Sequence, residues 1–461
     1  MRPSNARLRA RITSPPAETS KAAGILDAAG FPSAYRKLLE AYQLQREPIA
    51  VNFRELVPLS AGADRASHLV HSYPAKLLVG IPAFFANCEQ LSRPGDLVLD
   101  PFCGTGTVLL EALLAGRSAG GSDSNPLARL IAKVKVTPLD PRAAIKALSF
   151  LRHPRKKYDV TKFSAVVEVD RWYARGTATA LGRLLTQIKC LGDQDIQDFF
   201  IICFSACLKR LSFADPRLSV PVRLKDEHSR PSPSEAAVRN AFFKVAEANI
   251  ARMKKLDFPK TAKFIGIRED ARVLDKPFAG ANAPQASLLI TSPPYLSAQK
   301  YIRSCTLSLG WLGLAPKNKL RNLEDLCIGR EHLSSADRTQ KTQELPDGIR
   351  AAIDEISLRN PARGAIANAY FVEMRAALGA AIAALRDGGH LVLVMGNNTV
   401  CGKPFRTSDH VASTIKSMGM KQELELIDHI KSRGLMTKRN VTAGMITQEH
   451  IHVFSKTGRA A

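Results

Sequence analysis

Short apolar runs separated by polar turns recur along the chain, and their spacing predicts its elements. DLVLD (96–100) is a short apolar strand that ends in an acid, and GTGTVLLEALLAGR (104–117) carries apolar residues at helical spacing. SAGGSD (118–123) predicts a second short strand, and NPLARLIAKVK (125–135) a second helix. From about residue 60 to 136 the order is helix, strand, helix, strand, helix, which implies a parallel sheet. The strand rhythm resumes at KFIGI (263–267), SLLIT (287–291) and HLVLVMG (390–396). ELELI (423–427) and HIHVFSK (450–456) predict an antiparallel edge pair. The expected fold is therefore α/β, with a Rossmann-like, mostly parallel sheet, an antiparallel edge hairpin and a helical insertion.

The insertion is the stretch that breaks the rhythm. Residues 141–261 carry amphipathic helical patterns such as TALGRLLTQIKCL and DIQDFFIICFSACLKRL, then a polar, Pro-rich connector, HSRPSPSEA. This divides the chain into a basic tail with a short helix (1–45), a first half of the core (46–140), the helical insertion (141–261) and a second half of the core (262–461).

Charge adds a partner to this outline. The 461 residues include 66 Lys and Arg against 42 Asp and Glu, a formal charge of +24. Such an excess points to a polyanion, because neutralising phosphates releases condensed counterions. The insertion alone holds 23 Lys and Arg against 12 Asp and Glu, with a cluster at Arg152, Arg155, Lys156 and Lys157. Eight scattered cysteines form no CxxC pair, which disfavours a disulfide framework or a structural zinc site; no metal is expected. No run of about 18 apolar residues is present, so no membrane span is expected. The N-terminus lacks the apolar core of a secretory signal, and a cytoplasmic location is the expectation.

Two loops carry the candidate chemistry. DPFCGTGT (100–107) follows a strand and opens a helix, and Gly104 and Gly106 allow a tight turn with close approach to a ligand. Asp123 ends the next strand about twenty residues on, where ribose hydroxyls need an acceptor. The third glycine of the dinucleotide fingerprint and the GK[ST] of a phosphate loop are both absent, which disfavours NAD and ATP. The second loop, TSPPY (291–295), follows the strand SLLI. Pro293 and Pro294 fix the backbone and remove two N–H donors, leaving carbonyls beside a rigid Tyr295. Ser292 and the Pro293 carbonyl can accept the two hydrogens of a base amino group while Tyr295 stacks on the base.

DPFCGTGT, with Phe102 inside it, and TSPPY together resemble the motifs of the amino-methylating DNA methyltransferases. The resemblance covers about residues 46–140 and 262–456 and only loosely includes the insertion. It implies S-adenosylmethionine as cofactor. His71, Tyr73, Pro74 and Lys76 of HSYPAK would lie at its methionine end, Asp100 at the methionine amino group, Asp123 at the ribose and Asp270 near the adenine. It also implies double-stranded DNA as partner, with the target base flipped out. A restriction–modification system, with a cognate endonuclease, is the setting it suggests. A loop of the form SPPY is commoner in the cytosine-N4 enzymes, which favours cytosine N4 over adenine N6. Tyr301 and Arg303 are candidates for reaching the substrate backbone, whereas Trp311 reads as core. The alternatives are an RNA base amino-methyltransferase and a catalytically silent DNA-binding protein. No Pro-Cys dipeptide is present, so cytosine-C5 chemistry through a cysteine nucleophile is not expected. The His/Cys spacing of the zinc deaminases is also absent.

Overall fold

The computed structural model describes residues 30–59, 65–74, 76–153, 168–225, 233–274, 285–296, 300–315, 320–334, 344–430 and 446–457. Ten strands lie within them: β1 (Ile49–Val51), β2 (Leu97–Asp100), β3 (Ser118–Ser122), β4 (Phe264–Arg268), β5 (Ala286–Thr291), β6 (Leu385–Met395), β7 (Asn398–Val400), β8 (Lys403–Phe405), β9 (Met420–His429) and β10 (Gln448–Lys456). Eight form one sheet in the order β1-β9-β10-β6-β5-β2-β3-β4, and β7 and β8 form a small hairpin. Within the large sheet β10 is antiparallel to both β9 and β6, and the other pairings are parallel. The α/β class, the mostly parallel sheet and the antiparallel β9/β10 pair match the pattern of apolar runs. Several elements had no sequence signal, among them β1 and the β7/β8 hairpin. The three-residue β1 pairs with the outer side of β9, where the Phe53 N–H donates to Asp428 Oδ1 at 3.2 Å.

At the central strands β2, β5 and the C-terminal half of β6 both faces are buried, which explains why these strands read as continuous apolar runs. Val98, Leu288, Ile290, Val392 and Val394 face the helices Gly80–Ala86 and Thr107–Leu114. Their neighbours Leu97, Leu99, Leu289, Leu391 and Leu393 face the long helix Pro361–Ala383. A period of two on a sheet covered on both sides leaves no polar row to read.

The residues 141–261 fold as helices: Pro141–Arg152, Val169–Trp172, Arg175–Lys189, Gln194–Leu211 and Glu235–Met253. Asp140, Asp193 and Ser234 cap three of them through side-chain acceptors to backbone N–H groups. Their apolar faces join Leu127, Ile131 and Val134 of the helix Pro126–Val136, and Leu307, Leu309 and Trp311 from the segment after TSPPY, in one cluster. Trp311 is core, packed edge-on against Tyr173 and Phe204.

The strand order fixes where a ligand can sit. From β2 the chain moves outward through β3 to β4, and from β5 it moves the other way through β6. The reversal falls between β2 and β5, and in open α/β sheets the crevice beyond the strand C-termini at that point is the usual ligand site.

Candidate active site

The crevice is present. A cleft of about 960 Å³, open solvent included, is lined by residues from the ends of four adjacent strands: Asp100 to Thr105 after β2, Asp123 to Asn125 after β3, Glu269 to Ala271 after β4, and Ser292 and Pro294 after β5. Tyr73, Lys76, Tyr301 and the run Leu326, Cys327 and Ile328 close its sides.

The loop after β2 turns sharply because its glycines adopt positive φ, +49° at Gly104 and +73° at Gly106. Gly106 also packs tightly: a Cβ there would meet the Ala132 Cβ at 2.9 Å. At the end of β3 a Cβ on Gly121 would fall 2.3 Å from the Asp100 carbonyl oxygen, so the strand ends approach closely only because that side chain is hydrogen. Gly106 therefore shapes the loop from behind rather than lining the cleft.

Two carboxylates dominate the floor. Asp100 Oδ1 accepts the Phe102 N–H at 3.0 Å and the Thr291 hydroxyl at 2.7 Å, a bond that ties the first loop to the second across 191 residues. Asp123 Oδ2 accepts the Gly104 N–H at 3.0 Å, and its Oδ1 accepts the Asn125 N–H at 2.8 Å. Burial pushes the Asp100 carboxyl up to about 7 and the Asp123 carboxyl up to about 6, against the hydrogen bonds that pull them down. Glu269 pairs with Arg129 at 2.6 Å, and Arg129 also donates to the Asp123 carbonyl at 2.7 Å. Asp270 accepts from its neighbour Arg272, at 2.9 Å from both the backbone N–H and Nε.

The upstream segment divides in two. The Tyr73 hydroxyl accepts from Asn125 Nδ2 at 2.9 Å, and Lys76 Nζ donates to the carbonyls of His68 at 3.1 Å and His71 at 2.8 Å. Burial lowers the Lys76 ammonium to about 8. Both side chains line the cleft, but His71 does not. Its Nδ1 lies 2.6 Å from the Ser72 carbonyl and its Nε2 lies 3.0 Å from Ser205 Oγ of the helix Gln194–Leu211. Burial holds this imidazole neutral, down to about 4. The structure thus places His71 as the fastener between this segment and the helical insertion, away from the methionine-end position expected for it.

At the second loop, Ser292 and Pro294 line the cleft and Pro293 is buried beneath them. The Tyr370 hydroxyl donates to the Pro294 carbonyl at 3.0 Å. Tyr295 is half-buried and outside the cleft lining. Its hydroxyl lies 3.4 Å from Glu449 Oε1 on β10 and hydrogen-bonds Ser292, and its ring lies against Gly396. Burial pushes the Glu449 carboxyl up to about 7. Arg303 is held by Glu324, Nε to Oε1 at 2.7 Å, while Tyr301 lines the cleft. In the basic cluster of the insertion, Arg152 pairs with Glu247 and lies 4.7 Å from the Phe243 ring centroid. Arg155, Lys156 and Lys157 lie outside the described residues.

A family model described as DNA methylase, of the N6/N4 type, matches residues 88–133, the stretch that builds the first loop and its two flanking strands. The Type II methyltransferase M.MvaI of Kocuria varians is 24% identical over 293 residues, 59% of this chain and 63% of that protein. Over these stretches the chain is similar to DNA methylases of the N6/N4 type. A second relative, the Type II methyltransferase M.MjaII of Methanocaldococcus jannaschii, is 30% identical over 97 residues, 21% of this chain and 18% of that protein. The chain spans less than two thirds of either relative's length. The rRNA methyltransferase aviRa of Streptomyces viridochromogenes aligns over 88% of this chain and 96% of its own, with 13% identity and a TM-score of 0.32.

The likeness to methyltransferases implies S-adenosylmethionine as methyl donor, and the cleft suits it. Two desolvated carboxylates with raised pKa face a space that a cationic ligand would relieve. Each carboxylate oxygen offers two lone pairs, so Asp100 and Asp123 retain acceptor capacity beyond their bonds within the protein.

Sequence reasoning missed Thr291, although it stands in the TSPPY motif, because its role is a bond to a strand that precedes it by 191 residues. Leu326, Cys327, Ile328 and Glu449 carried no motif; the first three reach the cleft from the turn after the helix Leu320–Asp325, and Glu449 from β10. Among the described residues no helix is long and apolar enough to cross a membrane.

Proposed function

We propose that this chain transfers the methyl group of S-adenosylmethionine to the exocyclic amino nitrogen of a flipped base in double-stranded DNA, with cytosine N4 favoured over adenine N6. The observation that carries the reading is the shared cleft: the loop from Asp100, the acid Asp123 and the loop at Ser292 and Pro294 line one space at the strand reversal. The Type II methyltransferase names of the two relatives support a DNA substrate in a restriction–modification setting.

The cofactor supplies an electrophilic methyl group on a sulfonium. The residues of this chain bind and orient. Asp100 would take the methionine ammonium, Asp123 the ribose hydroxyls and Asp270 the adenine end, with Phe102 as an apolar wall. Tyr73 and Lys76 bound the methionine end. The Ser292 hydroxyl and the Pro293 carbonyl accept the two amino hydrogens, so the nitrogen lone pair turns toward the methyl carbon. The Pro294 carbonyl accepts one bond from the Tyr370 hydroxyl, which helps to hold the loop in shape. Transfer would form one N–C bond, leave the S–C electron pair on sulfur as a neutral thioether and release the displaced amino proton to solvent. Tyr295 supports the flipped base with the exposed part of its ring. The helical insertion supplies phosphate contacts through its excess of cations.

Expression in a methylation-free host, followed by modification-sensitive sequencing of that host's DNA, tests the reading. A single methylated motif on an amino group supports it. An unmodified genome from a strain that makes soluble protein overturns it, and methylation confined to RNA replaces the DNA substrate.

A further inference from the structure

Outside the cleft, one group of metal-ligating side chains stands out among the described residues. Asp409, His450 and His452 each offer a ligand atom, and these atoms lie within 4.8 Å of one another. The pleat of β10 puts His450 and His452 on one face, with rings stacked at 6.1 Å and 12°. The helix Thr407–Ser417 contributes Asp409 from its first turn.

Three further features point to a ligand here. His450 Nδ1 lies 3.1 Å from Glu425 Oε1 on β9. A carboxylate at Nδ1 fixes the tautomer and makes Nε2 the acceptor, which Asn397 Nδ2 approaches at 3.3 Å and which an ion would take in its place; such a carboxylate–imidazole pair orients metal-binding histidines. His452 is buried, and its Nδ1 lies 3.2 Å from Gln422 Nε2, which holds the ring in place. Its Nε2 lies 2.9 Å from Ser408 Oγ, beside Asp409. Finally, Asp409 Oδ2 is buried without a hydrogen-bond donor; it is ion-paired with Arg406, whose side chain is 78% exposed and free to swing outward. A second cavity, lined by Asp409, Arg406 and Lys403, gives solvent a route to that carboxylate.

We propose that Asp409, His450 and His452 form a binding site for one divalent transition-metal ion of the zinc type, with Glu425 orienting His450. Two imidazoles and one carboxylate select borderline ions such as Zn²⁺ or Co²⁺ over Mg²⁺ and Ca²⁺, which prefer all-oxygen sites. Bonds of about 2.0–2.2 Å place ligand atoms about 3.3 Å apart around a tetrahedral ion, so binding would draw Asp409 closer to β10. The helix it draws in is tied to the second loop. Thr407 Oγ1 donates to Asn398 Oδ1 at 2.6 Å, and Asn398 Nδ2 donates to the Leu296 carbonyl at 2.7 Å, one residue beyond Tyr295. The ion would brace this support and take no part in methyl transfer. The site departs from the expectation of no metal, which rested on cysteine spacing.

The test uses the full chain after dialysis against a chelator, titrated with Zn²⁺ and with Co²⁺. The expected result is one ion per chain, a higher thermal midpoint, and a Co²⁺ spectrum of nitrogen and oxygen ligands. His450→Gln and Asp409→Asn should each weaken binding at least tenfold while the metal-free melting curve stays near wild type. Should His450→Gln fail to fold, Asp409→Asn at the helix terminus decides alone. Absence of binding to wild type overturns the site, as does undiminished binding in the folded variants. A thiolate-to-cobalt charge-transfer band would assign the ion to a cysteine and overturn it too.

Discussion

The Asp100 carboxyl predicts a pH dependence of cofactor binding that can be worked out in advance. Burial raises it from 3.8 to about 7 in the unliganded protein. A methionine ammonium beside it favours the ionised form, so binding below pH 7 must first remove a proton. Apparent affinity then falls about tenfold, or about 1.4 kcal/mol, for each pH unit below 7. Two units below, at pH 5, the affinity is about a hundredfold weaker than the plateau. Asp123, at about 6, steepens the decline below that pH. Above about pH 8 the α-amino group of the ligand loses its own proton, so the maximum lies between about 7 and 8. The effect on the free protein has the opposite sign. A native pKa above the unfolded one means the folded chain binds more protons between about pH 4 and 7, and stability contributed by this group falls as pH rises through that window. Asp100→Asn keeps an acceptor for the Phe102 N–H and the Thr291 hydroxyl, so the loop should hold its shape. The variant should bind weakly at every pH, with its remaining slope confined to the range in which Asp123 titrates. Calorimetry in buffers of different ionisation enthalpy measures both affinity and protons released. A wild-type affinity that is flat from pH 5.5 to 7.5, or an Asp100→Asn slope equal to wild type, would refute the assignment of this carboxylate.

Further predictions concern the other parts of the site. Gly106→Ala should cost about 1–2 kcal/mol for the left-handed backbone and a further 1–3 kcal/mol for crowding Ala132, read by chemical denaturation; a loss under 1 kcal/mol would contradict the packing. Tyr295→Ala should weaken binding to the specific DNA site by about 1–3 kcal/mol with little change in cofactor affinity, whereas Tyr295→Phe keeps the ring and should bind nearly as wild type. Equal losses in both variants would assign the effect to the hydroxyl facing Glu449 rather than to stacking. Neutralising Arg155, Lys156 and Lys157 together should reduce the slope of log affinity against log salt by about 0.9 for each DNA phosphate that these cations neutralise in the wild type; an unchanged slope would show a merely solvated surface.

The loops that matter most were legible because their chemistry is local. Gly104 and Gly106 mark a turn by their backbone alone, and two adjacent prolines after an apolar strand mark a rigid rim. What the sequence hid depends on how distant elements meet. That Thr291 would reach Asp100 and that Glu449 would meet Tyr295 follow from which strands lie side by side, and Leu326, Cys327 and Ile328 reach the cleft from the turn after the helix Leu320–Asp325. His71 shows the converse failure. Its position in HSYPAK suggested a ligand contact, but Ser205 of the insertion captures its ring, and no local pattern signals a partner 134 residues away. The brief β1 was invisible for a related reason: three residues carry no period, and their placement is fixed by docking on β9.

The central claim is methyl transfer to an exocyclic amino group at the Ser292 loop, and mass spectrometry of DNA after incubation with purified protein and isotopically labelled S-adenosylmethionine tests it most directly. The account predicts a labelled methyl on an amino nitrogen, with N4-methylcytosine favoured over N6-methyladenine, and a slower rate in Ser292→Ala with DNA binding retained. Label on 5-methylcytosine, or full activity in a Ser292→Ala/Tyr295→Ala double variant, would contradict it.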